Sequence, residues 1–315
     1  MILAVAPNPA LDITYHLDQL RIGEVNRVAS VSEHAGGKGL NVARVLHAAG
    51  VPVRALAPVG GATGARIRSL LDAGGVPHTL VPVVAETRRT VVAAGTGLWE
   101  PGPELTSSEW SAFRAAFGAE LPAAAVVTLS GSLPPGWPID AYAQLIALCH
   151  AERRPVILDA SGSALEAAIG SGPTVLKPNA AELADLIGRP VTSVSSAVAA
   201  ARAAIDRGAR EVIVSLGPLG LVACADGSDW HACPPEIVAP NPTGAGDALV
   251  AALAAGWLVG LDRTELLAQA VAWSAAAAAH PVAGEIDAAI ADQVRPLVRV
   301  VSARPEPDLD RTGSR

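Results

Sequence analysis

The chain has 315 residues, half of them apolar and 17% charged, with a formal net charge of −7. That length fits one large α/β domain with an excursion, or two domains, and the apolar content excludes extensive disorder before the end. The acidic balance speaks against a nucleic-acid binder, which carries a basic surface, but leaves room for phosphate ligands that need only a local basic site.

The opening residues, Met1-Ile2-Leu3-Ala4-Val5-Ala6-Pro7, carry no basic segment, and Pro7 breaks their apolar run. Ile2–Ala6 therefore reads as a first β-strand rather than a signal peptide. Further buried strands are predicted at Val53–Pro58, Val126–Ser130, Val156–Asp159, Thr174–Leu176 and Val212–Ser215. Helical patterns lie between them, at Asn41–Ala49 with Val42, Val45 and Leu46 on one face, at Gly64–Leu71 and at Ile139–Glu152. This alternation is the signature of a mainly parallel sheet covered on both faces, an α/β fold. Two segments depart from it. Asp12–His34 and Val83–Trp99 alternate polar and apolar residues, as half-exposed strands do. They predict a small β-sheet that leaves the core and returns as a lid over the substrate site. Its outer face, with Ile13, Tyr15, Leu17, Val28 and Val31, would be sticky if bare, which predicts a homodimer through the lid. The Ala-rich run at 269–279 is too short and mild to span a bilayer, so no membrane partner is expected. Cys149, Cys224 and Cys233 form no CxxC pair, so neither a zinc site nor a disulfide framework is indicated, and a cytoplasmic protein is expected. Residues 302–315 are polar and read as a mobile tail after a domain over 1–301.

Two glycine turns carry the chemistry. In Asn241-Pro242-Thr243-Gly244-Ala245-Gly246-Asp247-Ala248 the glycines let the backbone turn tightly at the start of an apolar helix. The free N–H groups of such a turn, with the helix dipole behind them, form an anion site. Asp247 beside it could take a proton from an alcohol while those N–H groups stabilise charge developing on a phosphoryl group. An Asp that merely caps the helix is the competing reading. The second turn is Ala35-Gly36-Gly37-Lys38-Gly39-Leu40-Asn41. It is not a Walker A loop, and no G-x-G-x-x-G follows the first strand. One turn with Lys and one with Asp imply two anionic ligands facing each other. The lysine count supports this: of 23 Lys+Arg only Lys38 and Lys177 are lysines. A chain that otherwise uses arginine keeps lysine where a compact ammonium is needed, so both read as phosphate ligands.

With these motifs the chain resembles the ribokinase-like sugar kinases, in particular their phosphofructokinase B branch. The resemblance runs from Ile2 to about Ala288. It rests on Asn8-Pro9-Ala10-Leu11-Asp12, the Gly-Gly-Lys-Gly-x-Asn-Val-Ala-Arg run at 36–44, Glu86-Thr87-Arg88, Glu100-Pro101-Gly102-Pro103, Ser130-Gly131-Ser132-Leu133-Pro134, Lys177-Pro178-Asn179-x-x-Glu182, Val214-Ser215-Leu216-Gly217 and Thr243-Gly244-Ala245-Gly246-Asp247. It implies a three-layer α/β/α ribokinase-like core with a small β-sheet lid, and ATP with Mg²⁺ as cofactors. Asp247 would be the general base, and the N–H groups of Gly244, Ala245, Gly246 and Asp247 the anion hole. Asp12 would accept hydrogen bonds from sugar hydroxyls, with Gly37 and Asn41 beside it and Ser130 in the same substrate site. Lys38 and Arg88 would clamp the phosphate already on the sugar, with Arg27 assisting from the lid. Lys177, Asn179 and Glu182 would lie near the ATP phosphates, Glu182 reaching magnesium through water. Ser215, Gly217 and Gly220 suit ATP phosphates and ribose, although this segment alone reads as a hairpin turn between Val212–Ser215 and Leu221–Ala225.

One departure concerns specificity. Relatives commonly carry Asn two residues after the arginine of Glu-Thr-Arg, and here that residue is Thr90. The expected reaction is ATP-dependent phosphorylation of a ketohexose monophosphate. Fructose 1-phosphate is favoured from the details of Glu24-Val25-Asn26-Arg27 and Glu86-Thr87-Arg88, with tagatose 6-phosphate and fructose 6-phosphate as alternatives. Free sugars or nucleosides would leave Lys38 and Arg88 without a partner. A catalytically silent sugar-phosphate sensor would need neither Asp247 nor an intact anion turn.

Overall fold

A computed structural model describes residues 1–235, 244–280, 282 and 284–303. The chain enters through β1 (Ile2–Val5), after which Pro7 and Pro9 prevent the strand from continuing. It then forms β2 (Ala10–His16), β3 (Ser30–Gly36), α1 (Lys38–Ala48), β4 (Val53–Val59), α2 (Gly61–Ala73), β5 (His78–Pro82), β6 (Arg89–Ala93) and β7 (Thr96–Trp99). The middle supplies α3 (Ser107–Glu120), β8 (Val126–Ser130), α4 (Ala141–Ala151), β9 (Val156–Asp159), α5 (Gly162–Ile169), β10 (Val175–Leu176), α6 (Ala180–Ile187) and α7 (Val194–Asp206). Last come β11 (Glu211–Ser215), β12 (Leu221–Ala225), β13 (Ser228–Cys233), α8 (Ala245–Val259), α9 (Arg263–Ala279), α10 (Ala288–Val294) and β14 (Arg299–Ser302).

Ten strands form one sheet in the order β14-β13-β12-β11-β10-β9-β8-β1-β4-β5. Neighbours from β11 to β5 run parallel, and only the β12–β14 edge is antiparallel. Successive strand residues face opposite sides of a sheet. Accordingly Ile2 and Ala4 of β1 join one apolar cluster, with α1, α2, α8 and α9, while Leu3 and Val5 join a second with α3 to α7. This is the three-layer α/β/α core. Its topology also places the site. The chain moves outward from β1 to β4 and β5, then returns to the other flank of β1 at β8 and proceeds to β11. At such a reversal a crevice opens outside the carboxyl ends of the strands, where ligands of open parallel sheets bind. Asn8, Ser130, Asp159, Lys177 and Ser215 all sit at or just beyond those ends.

The predicted excursion is a separate sheet in the order β3-β2-β6-β7. Asp12 lies inside β2 of this small sheet, and the prolines separate it from β1. Two details differ from expectation. Residues 83–88 are not lid strand; Val83 N donates to Val59 O and Thr87 N to Gly60 O, tying the segment to the end of β4. Ile13 is not on a bare face, since it is partly buried and packs on the first core cluster. Tyr15, Val28, Val31 and Leu98 do remain exposed. No helix among the described residues is long and apolar enough to cross a membrane, and the Ala-rich run is part of α9. Strand β14 carries the chain through Ser302; most of the predicted tail, residues 304–315, lies outside the described residues, as does the Asn241–Thr243 half of the late glycine motif.

Candidate active site

Helix α8 begins at Ala245 behind Gly244, whose φ of +86° puts it in the left-handed region where a side chain would be strained. Asp247 therefore lies in the first helical turn, ahead of the apolar run. It does not cap the helix: the N-cap makes no side-chain bond, and Asp247 Oδ2 instead accepts from Nδ2 of Asn41 on α1 at 2.8 Å. Burial pushes the Asp247 carboxyl up to about 7 and the neighbouring Asp159 charge adds to this, while Asn41, Lys38 and Lys177 oppose it. A carboxylate titrating near neutrality is well matched to take a proton at working pH. The first N–H groups of α8 have no intrahelical acceptor. An ammonium flanks them, since a Cβ built on Gly246 would stand 3.8 Å from Lys177 Nζ.

Both lysines converge on one carboxylate. Asp159, fully buried at the end of β9, has Oδ1 3.1 Å from Lys38 Nζ and 3.4 Å from Lys177 Nζ. Burial alone would push this carboxyl up, but the two ammonium groups outweigh it and hold it below the ordinary range. Lys38, the first residue of α1, also lies 3.6 Å from Glu182 Oε1. Its ammonium is held charged against the cost of burial by Asp159, Glu182 and Asp247. The structure thus groups Lys38 with Lys177 rather than with Arg88. Asp159 was not singled out from the sequence. The available signal was a charged residue closing an otherwise apolar parallel strand, at the edge where ligands bind.

Asn179 and Glu182 form a capping box at the start of α6: Asn179 Oδ1 accepts from Glu182 N and Glu182 Oε2 from Asn179 N, each at 2.9 Å. One Glu182 oxygen is thus committed to the helix end and the other faces Lys38. Ser215 N donates to Pro178 O at 3.1 Å, which joins this segment to the end of β11. Gly217 and Gly220 lie in the tight link between β11 and β12, so the hairpin reading of this stretch holds.

In the small sheet, Asp12 accepts from Thr90 Oγ1 across the β2–β6 pair. A Cβ on Gly36 would lie 1.9 Å from Asp12 Oδ2, so only glycine lets this carboxylate sit where it does. Burial raises the Asp12 carboxyl, opposed by Thr90, the Gly37 N–H, Arg44 and Arg88. Arg88 is aimed by backbone carbonyls: Nε and Nη2 donate to Asn8 O at 3.3 and 3.1 Å, and Nη1 to Glu100 O at 3.0 Å. A guanidinium has five N–H groups, so two remain for a ligand. The rest of its motif anchors it, because Glu86 accepts from Ala62 N and Thr63 N at the start of α2. Arg89 turns the other way, to Thr63 Oγ1 at 3.2 Å. Asn8 Nδ2 donates to Pro101 O and Ser132 Oγ, both at 3.0 Å, which draws three of the sequence motifs together. Ser130 is buried and its Oγ has no partner among the described residues. Arg27 stays exposed on the loop between β2 and β3. Arg44 was not anticipated; it reaches Glu285 Oε1 at 2.8 Å and His34 Nδ1 at 3.3 Å beside Asp12.

Comparison with known proteins agrees with this geometry. The profile of the pfkB family carbohydrate kinases matches residues 7–288. Phosphofructokinase-2 from Escherichia coli in complex with fructose-6-phosphate is 28% identical, with a TM-score of 0.84 over 94% of this chain and 98% of that one. The tetrameric inhibited form of the same enzyme superposes with a TM-score of 0.86 at 29% identity, over the same shares. A Thermotoga maritima protein described as a possible 1-phosphofructokinase shares the fold, with a TM-score of 0.87 at 23% identity over 96% and 99% of the two chains. The family match spans most of the sequence and includes the buried carboxylate, the anion turn and both lysines; the chain belongs to the pfkB family of carbohydrate kinases, ATP-dependent sugar phosphotransferases.

Proposed function

We propose that the enzyme transfers the γ-phosphoryl group of ATP to a hydroxymethyl group of a ketohexose monophosphate, giving a bisphosphate. The observation that carries this reading is the buried Asp247 carboxylate, placed beside free helix-start N–H groups and the Lys177 ammonium. Asp247 removes the acceptor hydroxyl's proton as the oxygen attacks phosphorus. The N–H groups of Gly244, Ala245, Gly246 and Asp247, with Lys177 and Lys38, stabilise charge on the transferring group. Positioning and charge stabilisation carry most of the rate in such reactions. Asp12, Asn41 and Ser130 hold the sugar, with Gly37 at the turn beside them, and Arg88 takes the phosphate already on it, with Arg27 in reach from the lid. Lys177, Asn179, Ser215, Gly217 and Gly220 take the nucleotide.

Among the described residues no three His, Cys, Asp or Glu side chains cluster as a metal cage. The carboxylates of Glu182 and Asp159, both beside Lys38, suit Mg²⁺, which keeps several waters and is bound through one or two carboxylates plus substrate phosphates. Glu182 would hold it through water, across Lys38 from Asp159, whose Oδ2 has no partner among the described residues. When bound, the ion neutralises charge on the phosphates. All three cysteines are free, as suits a cytoplasmic enzyme.

Fructose 1-phosphate is the favoured acceptor, on the Glu24–Arg27 and Glu86–Arg88 segments. The higher identity to the enzyme crystallised with fructose-6-phosphate supports that sugar as the second reading. ATP turnover with fructose 1-phosphate, fructose 6-phosphate, tagatose 6-phosphate and fructose decides among them; equal use of free fructose would refute the phosphosugar assignment. The placement of the two cations makes a sharper test. Loss of a charge-assisted contact to phosphate costs about 1.5–3 kcal/mol. Arg88→Ala should therefore raise the phosphosugar KM about tenfold or more, since ~1.4 kcal/mol is a decade, and leave the ATP KM nearly unchanged. Lys38→Ala should act chiefly on kcat. An unchanged sugar KM in Arg88→Ala would remove that residue from the substrate site.

The exposed Tyr15, Val31 and Leu98 of the lid support a homodimer through this sheet. Sedimentation at micromolar concentration should give a dimer that Tyr15→Asp with Val31→Asp splits. A wild-type monomer would refute the interface. Ile13, which packs inward, is the wrong residue to test it with.

A further inference from the structure

We propose that Asn41 is a positioning residue for the base: its side-chain amide fixes which oxygen of Asp247 meets the acceptor hydroxyl. The inference rests on Asp247 being the general base, as proposed above. Asn41 and Asp247 are both buried, on different helices, and Nδ2 of one donates to Oδ2 of the other at 2.8 Å. The sense of this bond follows from its chemistry. An ionised carboxylate only accepts, so Asn41 must turn its NH₂ toward Asp247 and its carbonyl oxygen away. Oδ2 is thereby engaged, and the carboxylate cannot rotate without breaking a buried bond. Oδ1 accepts no hydrogen bond from another described residue and is the oxygen left to take the proton.

The far side of the amide is confined as well. Asn41 Oδ1 is buried without a hydrogen-bond partner among the described residues. A Cβ built on Gly284 would lie 2.7 Å from it, so the backbone of the 284 turn closes over the amide with no room for a side chain. One end of Asn41 is thus held by the base and the other is covered by backbone, which keeps the amide from turning. This is a second role beside the sugar contact expected for Asn41 from the family resemblance.

The test is the pH dependence of kcat/KM, with ATP and either fructose 6-phosphate or fructose 1-phosphate, whichever the wild type turns over faster. The charged groups that face Asp247 are Asp159 from β9, Lys38 from α1 and Lys177 beyond β10, and all remain when Asn41 is replaced. The donated hydrogen bond favours the ionised carboxylate, so its removal favours the protonated form. In Asn41→Leu and Asn41→Ser the acidic limb should move to higher pH by roughly one unit, the scale of one bond to a charged group. The loss of activity should then shrink as pH rises. Asn41→Asp, which sets a like charge against the base, should move the limb further in the same direction. The position of the limb is independent of how much of each variant folds, so a poorly folding variant remains informative. A limb that stays at its wild-type position in all three variants, with only KM or kcat reduced, overturns the proposal. Failure of the underlying reading looks different. In that case the wild-type limb is absent, or it persists in Asp247→Asn.

Discussion

Asp247→Asn should lower kcat by roughly 10²–10⁴, the range for loss of a general base, while ATP and sugar phosphate still bind. The same substitution should stabilise the fold at alkaline pH. The Asp247 carboxyl titrates at about 7 in the folded chain against an ordinary 3.8, so the folded state keeps a proton that the unfolded state has lost between those values. A raised carboxyl contributes stability at low pH and loses it as pH rises through the folded value. The loss accumulates from about pH 4 to about pH 7 and amounts to something on the order of 4 kcal/mol, because each pH unit is worth about 1.4 kcal/mol. Asn, of the same shape and never charged, escapes it. Thermal melts should therefore show wild type and variant alike near pH 4, with the variant increasingly more stable toward pH 7 and a constant gap above. Near-normal turnover would sink the catalytic assignment, and a gap that does not grow with pH would show that burial does not strain this carboxylate. The exchange of stability for activity is what a charge held in a dry site requires.

Asp159→Asn should be the most destabilising single change in the site. It removes the carboxylate shared by two ammonium groups, one of which, Lys177, is only 3% exposed. Leaving a buried charge without its counterion costs about 3–5 kcal/mol, which for a large domain lowers Tm by something on the order of 10 °C. The double variant Asp159→Asn, Lys177→Met should recover part of this, because the stranded charge goes with its partner; a cycle in which the two losses simply add would show that the pair is not coupled. The pH profile supplies a second reading. Asp159 helps to push Asp247 up, so its loss should move the acidic limb to lower pH, opposite to the Asn41 variants. The wild-type pair also has its own pH window. A depressed carboxyl contributes stability above its ordinary value and loses it as pH falls through the folded one. Asp159→Asn should therefore flatten the acid-unfolding side of the wild-type curve.

Much of this protein was legible in its order of residues. Every predicted core strand is present, because buried parallel strands are short unbroken apolar runs and need no partner to be recognised. The helix opened by Gly36 and Gly37 was legible for the same kind of reason. Some signals were present but unused, such as the capping boxes Thr106 with Glu109 before α3 and Asp262 with Glu265 before α9. The motifs gave the family and nearly all the residues that line the crevice.

What the sequence could not carry is which of those residues meet. Lys38 and Asp159 are 121 positions apart, Asn41 and Asp247 are 206, and no local pattern links either pair. The return of the chain to the opposite flank of β1 brings the ends of β8, β9 and β10 beside the glycine turn of α1, and that alone places Lys38 with Lys177 on a shared carboxylate. Ile13 and Tyr15 share one face of β2, and only the packing of the core against part of that face covers Ile13 while leaving Tyr15 exposed. Residue type and spacing determine what chemistry a chain can offer, because they set charge, hydrogen-bonding capacity and local backbone freedom. The packing of distant elements decides which charges share a dry space, and with it whether the Asp247 carboxyl titrates as an ordinary acid or near neutrality.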